Sequence, residues 1–246
     1  MIRRIALVIQ YDGAGYCGWQ KQKDLISVQG VLEEKIAELD PIRPVKAIAA
    51  GRTDAGVHAI EQVAHFEIKK NFETDKIRDG LNQHLRPNTI AVLNVEKVSA
   101  NFHARFSANL RCYEYRIINR RPPLTLDINR AWCIYKKLNI EKIIKQASFF
   151  EGKNDFESFR SVDCQSKTSI KTVNSVSVKY QNNNLTFNVC AKSFLHSQVR
   201  IMVGTLIDIG KDLLQQSVSD IIKSKNRMNA GTTAPACGLY LKKIEY

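Results

Sequence analysis

The stretch G-R-T-D-A-G-V-H-A, residues 51–59, stands between two apolar, strand-like runs, 45–50 before it and 62–68 after it. It packs two glycines, a guanidinium, a hydroxyl, a carboxylate and an imidazole between segments that read as buried strands. Side chains on a loop between two rigid elements are held in place, so chemistry is sought there first. Asp54 has two readings. Asp and Gly at such positions routinely build turns; a carboxylate beside the Arg52 guanidinium is also kept ionised and nucleophilic. His58 reads either as an acid or base or, having no second carboxylate, Ser or Cys nucleophile beside it in the stretch, as support of the loop, the reading preferred.

Outward from this stretch the elements alternate. Upstream, residues 4–11 alternate and are rich in β-formers, and Ser27 is placed to cap a helix carrying Val28, Val31, Leu32, Ile36 and Leu39, stopped at Asp40-Pro41. Between them, residues 11–20 (Y-D-G-A-G-Y-C-G-W-Q) read either as a tight turn with exposed aromatics or as a surface that approaches and stacks on a ligand. Downstream, Thr74 is placed to cap a helix through Leu85, and residues 89–98 form a strand, giving the order β-α-β-β-α-β. A second half repeats this loosely. It has a strand at 111–118, a short strand or extended arm at 131–135, a helix capped by Asn139, and a hairpin over 173–180 and 185–191 around three asparagines. A strong helix follows, carrying Val199, Met202, Val203, Leu206 and Ile207; then come a short helix at 219–225 and a last strand at 239–244. The expected class is α+β, with halves 1–105 and 106–246 sharing a continuous sheet.

Composition narrows the partner. At 246 residues with 44% hydrophobic and 25% charged residues, the chain has the makings of a folded core. Thirty-seven Lys and Arg against 24 Asp and Glu leave +13, which favours a polyanionic partner, nucleic acid before a membrane surface. No run reaches transmembrane length. The six cysteines, Cys17, Cys112, Cys133, Cys164, Cys190 and Cys237, have neither metal-ligand nor redox-pair spacing. They read as free thiols in a reducing cytoplasm.

Two further groups carry possible chemistry. Tyr113 and Tyr115 share a strand face with Arg111, in a run that also holds Arg105, Arg116, Arg120, Arg121 and Arg130 against only Glu114 and Asp127. Aromatics interleaved with arginines suit base stacking and phosphate contacts, and equally suit core tyrosines beside a solvated basic strand. His196 and Arg200 are four apart and are expected on one face of the strong helix.

The chain resembles the TruA-type tRNA pseudouridine synthases along its whole length. The resemblance rests on Y-D-G-x-x-Y-x-G-W-Q (11–20), S-V-Q (27–29), the central stretch (51–59), F-H-A-R-F-S-A (102–108) and R-x-Y-x-Y (111–115). Further along it rests on D-F-x-S-F-R (155–160), C-Q-S (164–166), F-L-H-x-x-V-R-x-x-V-G (194–204) and A-P-A-x-G-L-x-L (234–241). It implies the pseudouridine synthase fold: two ferredoxin- or RRM-like halves around a central antiparallel sheet with a cleft between them. It also implies an isomerase without cofactor or metal, converting uridine to pseudouridine at positions 38, 39 and 40 of the tRNA anticodon stem-loop, as a cytoplasmic homodimer. In this resemblance Asp54 matches the nucleophile and Arg52 the arginine that helps flip the base. Tyr113 matches the tyrosine under the uracil, Arg200 the partner of the aspartate, and Leu239 the apolar wall; Arg111 and His196 join the substrate-binding candidates. The bottom-up chemistry agrees, since hydrolytic glycosidases recruit two carboxylates and a water whereas one carboxylate stands alone here. The main competing reading is a non-catalytic RNA-binding protein with two RRM-like halves, which is expected to carry an RNP signature that no segment provides; a second is a small-molecule α+β enzyme whose basicity is incidental.

Overall fold

In the computed structural model, which describes residues 2–41 and 44–246, the chain forms two units. One comprises Met1–Asn109 with Tyr240–Tyr246, the other Leu110–Leu239. Both are α+β.

In the first unit β1 (Arg3–Tyr11) lies between β3 (His58–Ile68) and β4 (Ile90–Val98), antiparallel to each. Ile5, Leu7 and Ile9 alternate along β1 and are fully buried, with Ile5 directly opposite Phe66. The other edge of β3 is shared by β2 (Ile48–Ala49) and by β10 (Leu239–Glu245), whose Tyr240 and Leu241 run parallel to His58 and Ala59. The expected strand at 45–50 is therefore much shorter, because the Ala47 backbone is satisfied by side chains. Its N–H donates to Glu33 and its carbonyl accepts from Gln29. β3 starts earlier than expected, at His58, because its partner there comes from the far end of the chain.

The helix α1 (Val28–Leu39) begins where expected, with the Ser27 hydroxyl accepting from the Gly30 N–H at 3.2 Å. It buries Val28, Leu32 and Ile36, one turn apart. In α2 (Thr74–His84), Thr74 is the first helical residue; Glu73 precedes it and gives no side-chain cap.

In the second unit β5 (Leu110–Asn119), β9 (Asn184–Ala191), β8 (Ile170–Gln181) and β7 (Gly152–Asp155) are antiparallel neighbours in that order, and β6 (Trp132–Ile134) runs parallel to β5. β7 is not among the expected strands: Gly-Lys-Asn-Asp has no apolar alternation and becomes a strand only by pairing with β8. The helix α3 (Ile140–Ala147) is capped by Asn139, which accepts from the Lys142 N–H at 3.0 Å. It packs on α4 (Gln198–Gly210), where a Cβ on Gly210 would lie 2.5 Å from Ile143. α5 (Val218–Ser224) is capped by Ser217.

Two expectations are corrected here. His196 does not share a helical face with Arg200. Ser197 adopts a left-handed conformation (φ 57°), and the Gln198 side chain accepts from the Leu195 N–H, so the helix starts two residues after His196. Nor are all six cysteines free thiols. Cys112 on β5 and Cys190 on β9 are directly opposite in register and joined as a disulfide; Cys17, Cys133, Cys164 and Cys237 are in none. Sheet register, not cysteine spacing, makes that pair. Among the described residues no helix is long and apolar enough to cross a membrane.

One buried group links the first unit's stability to pH. His65 on β3 is 3% exposed, and its Nδ1 accepts from the Ala104 N–H at 3.1 Å. Burial lowers its pKa to about 4, aided by the charges of His103 and Arg4 and opposed by Glu67 and a hydrogen bond to the Ile48 backbone. The unfolded chain therefore binds the extra proton first as pH falls. The stability is complete above the unfolded value near 6.5 and is lost as pH drops toward 4. Wild-type protein is expected to lose on the order of 2 kcal/mol more between pH 7 and pH 5 than a His65→Gln variant, read from urea midpoints. Equal losses in the two proteins would remove His65 as the titrating group.

Candidate active site

Asp54 stands on a loop whose every turn is fastened to buried residues of the first unit. Asp54 itself is half-buried and Arg52 is exposed. At the start of the loop, the fully buried Gln62 side chain donates to the Gly51 carbonyl at 2.7 Å. One residue before Asp54, the Thr53 hydroxyl lies 2.8 Å from the Tyr11 hydroxyl, and the Thr53 carbonyl accepts from the Trp19 N–H at 3.0 Å. Burial pushes Tyr11 up to about 12, against hydrogen bonds to Thr53 and Gln62 that lower it, so its phenol stays neutral. After Asp54 the chain turns: the Val57 N–H returns to the Asp54 carbonyl at 3.1 Å, with Gly56 at φ 76°, the positive φ that a type II turn needs at that position. The carboxylate is thus carried on backbone fixed on both sides.

The glycine-rich residues 11–20 supply much of that fastening; they do form the expected tight turn, at Gly13–Gly15, but with its aromatics buried. Tyr11, Tyr16 and Trp19 are 3%, 8% and 2% exposed, so they are neither exposed turn aromatics nor a ligand-facing surface. The glycines instead let this segment lie against the Asp54 loop. A Cβ on Gly13 would overlap the Val57 carbonyl oxygen outright, and one on Gly18 would fall 2.6 Å from the Thr53 oxygen. The Gly56 N–H also reaches the Tyr16 carbonyl, at 3.4 Å. Glycine spacing signals a close backbone approach; nothing in the sequence says that the approaching partner is the chain itself.

His58 is 2% exposed and closes the loop as a strut. Its Nδ1 lies 3.0 Å from the Gly13 N–H and 3.1 Å from the Asp12 carboxylate, and its ring stacks on Tyr240 at 4.6 Å. The reading of His58 as loop support agrees with this geometry.

Within the second unit, alternation along β5 turns Arg111, Tyr113, Tyr115 and Ile117 to one buried face. Tyr113 is 9% exposed and meets Phe194 edge-on at 5.3 Å. The Arg111 guanidinium is also buried and donates to the Lys192 carbonyl, while His196 is exposed, its N–H on the Cys164 sulfur. Tyr115 is fully buried and donates to the Pro235 carbonyl at 2.7 Å. Burial drives its phenol far above the usual range, with Cys237 adding to the shift and Arg200 opposing it. Tyr115 is therefore a pin for the segment that leads to Leu239.

That segment is fitted along α4. Arg200 Nε donates to the Ala234 carbonyl at 2.8 Å, and the Ala234 N–H returns to the Arg200 carbonyl at 3.1 Å. Two turns on, Asp208 accepts from both the Thr232 N–H (2.8 Å) and its hydroxyl (3.0 Å). Gly204 and Gly238 permit the contact: a Cβ on the first would overlap the Thr232 carbonyl oxygen, and one on the second would lie 2.6 Å from the Tyr115 ring. Leu239, 6% exposed, follows directly. Arg200 and Leu239 are thus brought into one framework, and Arg52 and Asp54 into another. Among the described residues no three His, Cys, Asp or Glu side chains converge as a metal-ligand set.

The comparisons with known proteins bear on both frameworks. A family model described as tRNA pseudouridine synthase matches residues 7–107 and 147–246. The chain is 47% identical over 245 residues to tRNA pseudouridine synthase A of Ehrlichia chaffeensis, covering 99% of this chain and 100% of that one. It is 46% identical over 246 residues to the protein of that name from Anaplasma phagocytophilum, again covering 99% of this chain and 100% of the relative. With a carboxylate held on a buttressed loop in one unit and tyrosine, arginine and leucine held in the other, the chain belongs to the tRNA pseudouridine synthase family, a family of isomerases.

Proposed function

We propose that this chain converts uridine to pseudouridine at positions 38, 39 and 40 of the tRNA anticodon stem-loop, with Asp54 as the nucleophile. The observation that carries the reading is the Asp54 loop itself. A half-buried carboxylate is mounted on backbone tied to Tyr11, Trp19, Gln62 and Val57, which is the preorganisation a reacting group needs. A carboxylate serving only as a turn cap needs no such mounting.

The net reaction breaks the bond between the sugar carbon and the base nitrogen, turns the uracil, and joins the same sugar carbon to carbon five. The proton on carbon five leaves and the freed nitrogen gains one, so no oxidant, reductant or water is consumed. Reaching the uridine requires it to leave its stack, at a cost of a few kcal/mol. Arg52, exposed on the loop, takes the RNA backbone and helps displace the base; Tyr113 stacks on the uracil; Arg200 holds the charge of Asp54; Leu239 walls the base. Arg111 and His196 contribute to substrate binding. The working enzyme is a cytoplasmic homodimer with no membrane association, and the high positive charge draws tRNA to it.

The test is release of tritium from tRNA carrying uridine labelled at carbon five. Release is expected with wild-type protein, and faster release when the anticodon stem is weakened by mismatches, because stem opening then costs less. Tight tRNA binding with no tritium released would leave the chain an RNA-binding protein and end the catalytic reading.

A further inference from the structure

The motif F-H-A-R-F-S-A is absorbed by none of the roles above, yet it builds a feature of its own on the first unit. Residues 103–107 close on themselves: the Ser107 N–H donates to the His103 carbonyl at 2.8 Å and the Ser107 hydroxyl accepts from the His103 N–H at 3.0 Å. His103 Nδ1 takes the N–H groups of Arg105 and Phe106 at 3.2 and 3.3 Å, which fixes its ring against the turn. Rings then succeed one another outward. Phe102 contacts Tyr246 at 4.9 Å and His65 at 6.1 Å, His65 meets His103 at 4.9 Å, and His103 meets Phe106 at 4.3 Å. The outermost ring, Phe106, is 75% exposed, and the Arg105 guanidinium stands 5.7 Å from its centre. From beneath, Arg4 ties the segment down by donating to the Phe102 carbonyl at 2.8 Å.

An exposed Phe on a floppy turn carries little information. This one is held at the end of a column of rings rooted in a buried histidine, with the Arg105 cation over its ring, on a chain of net charge +13. A rigid aromatic face beside a guanidinium is the arrangement that stacks an unpaired base while binding its phosphate. Resting on the RNA-modifying reading above, we infer that Phe106 and Arg105 form a stacking platform for an unpaired nucleotide of the tRNA substrate, separate from the uridine that reacts. The platform contributes binding and takes no part in the bond changes.

The experiment uses the full chain with a tRNA transcript, measuring affinity by filter binding and KM and kcat by tritium release. Phe106→Ala and Phe106→Leu are expected to raise Kd and KM about tenfold, the worth of one base stacked on an aromatic, with kcat unchanged. Phe106→Trp is expected to match wild type, because it restores a π face where leucine restores only apolar bulk. Arg105→Gln is expected to reduce the slope of log affinity against log salt by about one, as loss of one phosphate contact does. If alanine disturbs the turn, the leucine and tryptophan pair still decides the matter. Wild-type Kd and KM in the leucine variant would overturn the proposal, as would a change in oligomeric state by sedimentation, which would assign the surface to a second copy of the chain. Wild-type protein that releases no tritium would refute the catalytic reading alone; the filter-binding ratios would still decide the platform.

Discussion

Replacing Asp54 with alanine is expected to cut pseudouridine formation by about 10⁴-fold or more, the scale of losing a covalent nucleophile. tRNA binding is expected to stay the same or tighten slightly. The two halves of this result have separate causes. The fastenings of the loop run through the Thr53 side chain and carbonyl, the Gly51 carbonyl, the Gly56 N–H and the Asp54 backbone, so removing one carboxylate leaves them standing. Removing a negative charge from a surface that meets a polyanion does not weaken that encounter. Asp54→Asn is the sharper control, since it keeps the shape and hydrogen-bonding reach of the side chain and loses only the nucleophilic charge. Single-turnover tritium release with both variants, beside filter binding of the same tRNA, separates chemistry from affinity. Turnover in Asp54→Asn near that of wild type would end the nucleophile assignment.

What can be read from the sequence is local. Ser27 and Asn139 announce helix starts because a capping side chain bonds an N–H within three residues of itself, and both do so here. The alternation of Arg111, Tyr113 and Tyr115 reports one buried face of β5, since period two is a property of the strand alone. What cannot be read depends on partners far along the chain. β7 is a strand only because β8 lies beside it, and His58 begins β3 where residues 240 and 241 come to lie against it. Cys112 and Cys190 meet through the register of β5 on β9. The start of α4 departs from expectation for a different reason. Apolar spacing runs back through His196, but the left-handed Ser197 and the Gln198 side chain divert the backbone before it. The candidate reacting residues are legible as chemistry, Asp54 and Arg52 above all. Their supports are not: Tyr11, Trp19 and Gln62 look like ordinary strand and turn residues until the Asp54 loop is seen resting on them.

That dependence makes Gly18 a position where a single methyl group should do harm at a distance from the reacting atoms. Gly18 adopts φ +100°, a conformation that L side chains rarely take, and its Cβ would sit 2.6 Å from the Thr53 oxygen, 3.0 Å from the Asp54 carbonyl carbon and 3.1 Å from the Ala55 nitrogen. All three are backbone atoms, so no side chain can swing aside. Nor can Gly18 retreat. Its own carbonyl accepts from the Val28 N–H at 3.2 Å, and the next residue, Trp19, is 2% exposed with its N–H on the Thr53 carbonyl. The methyl group of Gly18→Ala must therefore push the loop. A displacement near 1 Å at a reacting carboxylate costs about 10²-fold in rate, and the forced φ costs on the order of 1–2 kcal/mol of stability. Gly15 is the internal control: it lies in the same glycine-rich segment, but a Cβ there would meet nothing within 4 Å. Gly15→Ala is expected to keep wild-type turnover and stability within about 0.5 kcal/mol. Measured side by side at a temperature where both variants are folded, a rate loss confined to Gly18→Ala shows that this segment positions Asp54. Equal, near-wild-type rates in both would show that the loop holds its carboxylate without it.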